Sequence, residues 1–237
     1  MKTLESKIQT IRFNWEGHSI LYRKFGSGKP LLLVHGWPFH SGSFEALMFV
    51  LGKSFTCFAP DLPGMGESNF HSKTDFTFHG QARFLQCFAK DIIRSPYLCV
   101  AHDTGATMAR LVALEPETDM TALALLNTEI PGHRPPWIGF YQKFLRFPGS
   151  KSVLRTLLGQ SWFIKSSMGY GGCFHDSDCI DREFVSTMIT PLLEHSTIAQ
   201  FAIPPVLTTI PQSKFLAYVE RHDQVATAIK EFSETLH

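Results

Sequence analysis

The chain has 237 residues, of which 44% are hydrophobic, and a formal net charge of +1. It is long enough to bury one sizeable core, but it offers no basic surface for nucleic acid. No apolar run could span a bilayer and the first residues lack a signal-peptide core, so we expect a cytoplasmic protein that does not bind membranes. The five cysteines form no CxxC pair, which indicates reduced thiols, and nothing in the sequence calls for a metal or organic cofactor.

The first quarter of the chain predicts the edge and centre of a sheet. Residues 8–25 alternate apolar and polar side chains around a Glu-Gly turn, which is typical of a β-hairpin. Residues 31–34 form a short, wholly apolar run that predicts a buried strand, and 43–51 have a helical pattern. A further strand is predicted over 55–59, followed by a loop rich in Gly and Pro over 60–68.

The next part of the chain continues this alternation of strands and helices. A helix is predicted from Thr74 or Asp75 to Arg94, and a buried strand over 98–101. A second helix over 104–114 leads to a strand over 121–126. This alternation predicts an α/β protein with a doubly wound, mostly parallel sheet, in which chemistry takes place at the carboxyl ends of the strands.

The turn Ala101-His-Asp-Thr-Gly105 joins a predicted strand to a helix within three residues. A turn this sharp strains its central residue and projects the side chain of that residue above the sheet, so its neighbours must be small. The projecting group here is the carboxylate of Asp103, which makes Asp103 a candidate nucleophile. The alternative is that Asp103 is a helix N-cap, because Asp is a favoured capping residue.

A second feature at the same predicted sheet edge is the turn His35-Gly-Trp-Pro38, which follows the strand 31–34. Glycine at position 36 permits close approach of the backbone, and the N–H of Trp37 is then available to an anionic oxygen. An ordinary turn without a chemical role is the alternative.

Three motifs occur in the order and spacing of the α/β-hydrolase fold: His35-Gly-Trp-Pro38, Asp61-Leu-Pro-Gly-Met-Gly-Glu-Ser68 and Ala101-His-Asp-Thr-Gly105. With Asp at the elbow, the chain resembles the branch that contains haloalkane dehalogenases and epoxide hydrolases. The resemblance implies that Asp103 attacks carbon and forms an alkyl-enzyme ester, which a His-activated water hydrolyses. It also implies an oxyanion hole built from the N–H groups of Trp37 and Thr104.

The resemblance implies an orienting acid and a catalytic base as well. Glu129, just past the strand 121–126, is the best candidate for the acid, although Asn127 competes for that place and Glu129 could instead pair with Arg134. His222 is the candidate base. In relatives the catalytic His lies a few residues earlier in the chain.

Residues 131–201 break the alternating rhythm and have the pattern of the helical cap that such hydrolases insert over the elbow. The core would then comprise residues 1–130 and 202–237. Four aromatic side chains are predicted to line the substrate pocket, with plain packing within the cap as the alternative. These residues are Trp137, Tyr141, Trp162 and Tyr170.

The C-terminal part departs from the family pattern. The apolar runs 204–209 and 210–219 follow each other directly, whereas neighbouring parallel strands need a crossover of about a dozen residues. We therefore expect a block of the usual fold, which carries an acid and the approach to the catalytic His, to be missing. Residues 221–236 predict a closing amphipathic helix.

Two classes of function follow from these features. The first is a hydrolase that uses an Asp nucleophile on a small apolar electrophile, either an epoxide or a haloalkane. Many dehalogenases carry Trp directly after the nucleophile, so Thr104 favours an epoxide. The second is a catalytically impaired or inactive relative that binds a ligand or a partner protein, and a truncated form that folds poorly is a third interpretation.

Overall fold

The computed structural model describes residues 7–128, 143–144, 147–174, 176–190, 193 and 222–234. Its centre is a six-stranded sheet with the strand order β1-β2-β4-β3-β5-β6. The strands have the following bounds: Gln9–Trp15 (β1), His18–Gly26 (β2), Lys29–Val34 (β3), Phe55–Pro60 (β4), Tyr97–His102 (β5) and Met120–Leu126 (β6).

The sheet combines an antiparallel edge with a parallel centre. β1 and β2 form the predicted hairpin, and β2 pairs antiparallel with β4. β3 pairs parallel with both β4 and β5, and β5 pairs parallel with β6. The carboxyl ends of β3, β4, β5 and β6 therefore lie along one edge, where the predicted motifs meet.

Alternate residues of the central strands face opposite sides of the sheet. Leu31 and Leu33 of β3 pack on one side, in the same apolar cluster as Leu47 and Ile229. The residue between them, Leu32, faces the other cluster, which is built around helices 78–88 and 104–113. Both faces are thus covered by helices, and the predicted doubly wound, mostly parallel sheet is confirmed.

The helices that cover the sheet match the predicted positions, with shifted ends. A 3₁₀ turn, Ser41–Phe44, precedes the first α-helix. The α-helices that flank the sheet are Glu45–Leu51 (α1), Phe78–Phe88 (α2), Thr104–Ala113 (α3) and the closing helix His222–Glu234. Helix α2 continues as a π-helical turn over Ala89–Ile93.

The start of α2 corrects a prediction, because the helix begins at Phe78 rather than at Thr74 or Asp75. The Thr77 hydroxyl accepts a hydrogen bond from the Gly80 N–H at 3.1 Å and so caps the helix. Asp75, where the predicted helix was expected to start, instead accepts from the Thr77 N–H at 2.9 Å and stabilises the preceding turn. The true cap is therefore the residue whose oxygen reaches a free N–H of the first turn.

The described residues from 147 to 190 form short helical segments joined by turns. Their bounds are Ser150–Leu158, Ser161–Ile164, Tyr170–Cys173, Ser177–Cys179, Arg182–Phe184 and Val185–Ile189. The helical segment Arg182–Phe184 begins where the Asp181 carboxylate accepts from the Phe184 N–H at 2.8 Å. The runs 204–209 and 210–219 lie outside the described residues, so the predicted missing block stays a prediction.

Candidate active site

Asp103 lies at the turn between β5 and α3 with φ 52° and ψ −127°. This conformation is unusual for a residue with a Cβ and costs about 1–3 kcal/mol, so the surrounding contacts must hold it. The Asp103 N–H donates to the Leu126 carbonyl at 3.1 Å, and the Thr128 hydroxyl donates to the Asp103 carbonyl at 3.1 Å. The end of β6 therefore clamps the backbone of the strained residue.

The carboxylate of Asp103 is fully buried. Asp103 occupies the N-cap position of α3, but its side chain makes no capping hydrogen bond to the described residues of that helix. The alternative in which Asp103 serves only as a cap is therefore wrong. The side chain turns instead toward the loop that follows β3.

Two glycines bring that loop and α3 close to the elbow. A Cβ placed on Gly36 would lie 2.4 Å from both Cβ and Oδ2 of Asp103. A Cβ on Gly105 would lie 2.3 Å from the backbone carbonyl oxygen of His35. Glycine at these positions thus lets the His-Gly-Trp loop pack directly against the carboxylate and against the first turn of α3.

Of the predicted oxyanion residues, Thr104 bonds Asp103 and Trp37 bonds Thr104, an arrangement that the sequence did not predict. The Trp37 N–H donates to the side-chain Oγ1 of Thr104 at 2.9 Å. The Thr104 hydroxyl in turn donates to Asp103 Oδ2 at 3.2 Å. A hydrogen-bonded chain therefore runs from a backbone N–H through a hydroxyl to the carboxylate.

His35 holds this loop against the loop that follows β4. Its Nε2 accepts from the Leu62 N–H at 3.0 Å, so its proton is on Nδ1, which lies 3.0 Å from the Gly36 carbonyl oxygen. Burial lowers the pKa of His35 to about 4, and the nearby Asp61 carboxylate opposes this shift. His35 is therefore a neutral structural residue at neutral pH.

Asp61 also ties the same two loops together. Its Oδ1 accepts from the Ser41 N–H at 2.8 Å and from the Ser41 hydroxyl at 2.5 Å, and its Oδ2 accepts from the Glu67 N–H at 2.8 Å. The Arg23 guanidinium lies 3.7 Å from Oδ1. Because these donors and the cation compensate its burial, Asp61 stabilises the loops.

The helical segment after residue 147 contacts the loop that carries Trp37. The ring of Phe39 packs against Tyr170 and Phe184, with centroids 5.8 Å and 6.4 Å apart. His40 Nε2 donates to the Thr187 carbonyl at 2.6 Å, while its Nδ1 accepts from the Gly42 N–H. Tyr170, one of the predicted pocket residues, is thus buried next to the loop of the candidate site.

The remaining predicted site residues are not brought to Asp103 by the described structure. Trp162 lies on the helix Ser161–Ile164 and is 67% exposed, so its place in a pocket stays a prediction. His222 is the first residue of the closing helix, and its side chain lies outside the description. Glu129, Trp137 and Tyr141 lie outside the described residues.

Sequence reasoning missed the supporting roles of His35, His40 and Thr128. His35 and His40 lie in or just after the turn that carries Trp37. A histidine beside a sharp turn can bond backbone groups with its ring, and this was the signal for both residues. Thr128 gave no comparable signal, because its contact depends on where the end of β6 meets the elbow.

The described part of the chain contains no helix long and apolar enough to cross a bilayer. Within the same residues there is also no group of three or more His, Cys, Asp or Glu side chains that could hold a metal ion.

Comparisons with known proteins place these features in a family context. The model of the alpha/beta hydrolase fold family matches residues 29–151, just over half of the chain. The chain is 31% identical over 146 residues to haloalkane dehalogenase 2 from Mycobacterium bovis, which is 62% of this chain and 50% of that protein. It is 30% identical over 116 residues to the soluble epoxide hydrolase from Corynebacterium sp., which is 49% of this chain and 40% of that protein.

The chain thus spans half or less of the length of these two relatives. Among solved structures, an epoxide hydrolase from Vigna radiata superposes with a TM-score of 0.74 at 15% identity, covering 98% of this chain and 99% of that one. At that identity the match shows a shared fold. The resemblance inferred from the three sequence motifs is confirmed.

Proposed function

Because the chain belongs to the α/β-hydrolase fold family, we propose that it is a hydrolase in which Asp103 attacks a small apolar electrophile, an epoxide or a haloalkane. The observation that carries this proposal is the buried Asp103 carboxylate at a strained elbow, with φ 52°, packed against Gly36 and Thr104. A carboxylate that serves only stability has no need of a strained backbone, whereas a nucleophile must be held at a fixed position.

One of the two carboxylate oxygens is held by the neighbouring residues, which supports a division of roles. Oδ2 is bound by the Thr104 hydroxyl and lies beside Gly36. Oδ1 is then the attacking atom. It forms a bond to carbon while the carbon–halogen bond, or one carbon–oxygen bond of the epoxide, breaks and its electron pair leaves with the halide or the alkoxide.

The resulting ester is hydrolysed in a second step. Water attacks Cγ of Asp103, the C=O electron pair moves onto Oδ2, and collapse of this intermediate expels the alkoxide, which takes up the proton of the water. A base is needed to remove that proton. We assign this role to His222, with Glu129 as its orienting acid.

The substrate would bind beneath the cap, which we place at residues 131–201. The contacts of Phe39 with Tyr170 and Phe184 support this placement, because they bring the segment onto the loop beside Asp103. Aromatic side chains suit an apolar substrate. Tyr141 and Tyr170 would polarise an epoxide oxygen, and Trp137 and Trp162 would complete the lining.

The test is the intact mass of the protein after incubation with a panel of small epoxides and haloalkanes, with diol and halide assayed in parallel. We expect a mass increase equal to one alkyl group from a haloalkane and to the whole epoxide from an epoxide, and peptide mapping should assign it to Asp103. Diol or halide release in excess of one equivalent per protein would show complete turnover. A stable adduct without turnover would show that attack works and that the water-activating base does not.

The matched control is Asp103→Asn, which keeps the size of the side chain and removes the nucleophilic carboxylate. We expect neither adduct nor product from this variant. Turnover by Asp103→Asn would refute the assignment of the nucleophile. Stabilisation of both proteins by the same compounds on heating, without adduct in either, would instead support a ligand-binding protein.

A further inference from the structure

We infer that the side-chain hydroxyl of Thr104 is the donor that stabilises the negative charge on Asp103 Oδ2 during ester hydrolysis, and that the Trp37 N–H acts through it. This inference rests on the proposed function of Asp103. It differs from the arrangement expected from the sequence, in which the two backbone N–H groups of Trp37 and Thr104 stabilise that charge directly.

The direction of the hydrogen bonds supports this role. A hydroxyl has one proton, and the Thr104 oxygen accepts from the Trp37 N–H at 2.9 Å. Its proton therefore remains available for Asp103 Oδ2, 3.2 Å away. Accepting one hydrogen bond polarises the hydroxyl and strengthens the bond that it donates.

The position of Thr104 in the chain explains why its hydroxyl is available. A threonine inside a helix often donates to a backbone carbonyl three or four residues earlier. Thr104 is the first residue of α3, so no earlier turn of the helix competes for its proton. Thr104 is also buried, with 1% exposure, so bulk water does not compete for the hydroxyl proton either.

Gly36 identifies the oxygen on which charge would develop. Oδ2 lies 2.4 Å from the position that a Cβ on Gly36 would occupy, so this oxygen is held against the loop. The oxygen that attacks the substrate becomes the ester oxygen, whereas Oδ2 becomes the ester carbonyl. When a nucleophile adds to Cγ, the C=O electron pair moves onto Oδ2, next to the Thr104 hydroxyl.

The two half-reactions change the charge on Oδ2 in opposite directions. During alkylation the carboxylate loses its charge, so a donor to Oδ2 favours the starting state. During ester cleavage Oδ2 gains a full negative charge, so the same donor favours the transition state. Removal of the hydroxyl should therefore slow ester cleavage without slowing alkylation, whereas general damage to the site would slow both.

The experiment uses Thr104→Val, which has nearly the same shape without the hydroxyl, and Thr104→Ser, which restores it. Each full-length protein is alkylated with the epoxide or haloalkane that labels the wild type, and the rate of labelling is measured by intact mass. The native adduct is then treated with hydroxylamine, whose nitrogen attacks Cγ. The products are the Asp103 hydroxamate and the alcohol, and the alcohol carries a proton from the hydroxylamine.

Hydroxylamine makes the test independent of the catalytic base, because it is a strong nucleophile without deprotonation. In Thr104→Val we expect release to slow by about 10²-fold to 10³-fold, the usual effect of losing one oxyanion donor. Labelling should be no slower than in the wild type, and Thr104→Ser should recover most of the release rate. After denaturation, all adducts should react with hydroxylamine at one common rate.

Thr121→Val is the matched control. It also removes a threonine hydroxyl, but that hydroxyl donates to the Tyr97 carbonyl at 3.0 Å, where β5 and β6 begin and at the opposite end of these strands from Asp103. Its release rate should stay near that of the wild type. Equal release rates in the wild type and Thr104→Val, or equal slowing of labelling and release, would overturn the role of Thr104. If the wild type hydrolyses its own ester too fast for the adduct to accumulate, its turnover is compared with that of the variants, and Thr104→Val should be slower and should accumulate adduct. If the wild type forms no adduct and releases no diol or halide, the proposed function fails and this inference fails with it.

Discussion

The buried, neutral His35 predicts a specific loss of stability in mild acid. Its ring is fully buried and bonded to the Gly36 carbonyl and the Leu62 N–H, and burial lowers the pKa of His35 to about 4. In the unfolded chain a histidine titrates at about 6.5. As the pH falls below about 6.5, His35 therefore becomes protonated in the unfolded state while it stays neutral in the folded state. The free energy of unfolding falls as a result, until the pH reaches about 4.

The size of the effect follows from the difference between the two pKa values. Each pKa unit corresponds to about 1.4 kcal/mol, so lowering the pH from about 7.5 to about 5 should remove about 2 kcal/mol from the free energy of unfolding through His35 alone. Against a total of about 5–15 kcal/mol for a typical domain, this is a large share.

The assay is urea unfolding at about pH 7.5 and about pH 5, performed on the wild type and on His35→Gln. Glutamine keeps an acceptor for the Leu62 N–H and cannot be protonated in this range. Other ionisable groups titrate in both proteins, so the difference between their losses isolates His35. The wild type should lose about 2 kcal/mol more than the variant. Equal losses would refute the conclusion that His35 is buried in its neutral form.

Three substitutions test the packing and the backbone strain around the elbow; two of them replace a glycine and the third introduces one. Gly36→Ala would place a methyl group 2.4 Å from Asp103 Oδ2, so we expect labelling of Asp103 to slow by about 10²-fold, measured by intact mass; an unchanged rate would contradict the close contact. Gly105→Ala would place a methyl group 2.3 Å from the His35 carbonyl oxygen and should cost about 1–3 kcal/mol in urea unfolding, whereas a neutral effect would show that α3 can shift freely. Asp103→Gly relieves the backbone strain at φ 52° and should raise the free energy of unfolding by about 1 kcal/mol while abolishing labelling; a less stable variant would show that the strain is small.

The fold and the elbow could be predicted because their signals are local. The alternation of apolar runs and helical patterns located every strand from β1 to β6 to within a few residues. The small residues around Asp103 are what a strand-to-helix turn requires, and the observed φ of 52° confirms that turn. Periodicity and steric demands can both be read from neighbouring residues, without knowledge of the tertiary structure.

The hydrogen-bond chain through Thr104 could not be predicted in this way. Trp37 and Thr104 are far apart in sequence, and the Trp37 N–H bonds the hydroxyl only because β3 and β5 are adjacent in the sheet. The sequence also identified Thr104 by its backbone N–H, as family resemblance implies, and gave no indication of the rotamer of its side chain. Contacts of this kind depend on distances of a few tenths of an ångström, which patterns of residue type do not encode.

His35 links the candidate site to the stability of the protein in acid, because its ring holds the loop that carries Trp37. The Trp37 N–H reaches Thr104 only while the loop after β3 stays against α3, and the bond from the Leu62 N–H to His35 Nε2 is one of the contacts that hold that loop. A protonated His35 has no lone pair on Nε2 and would face the Leu62 N–H with a second N–H. Protonation of His35 would therefore weaken the hold of this loop and with it the hydrogen bond from the Trp37 N–H to Thr104. As the pH falls toward about 4, the pKa of His35 in the folded protein, ester release should slow more in the wild type than in His35→Gln at the same pH, because protonation of the hydroxylamine itself affects both proteins equally.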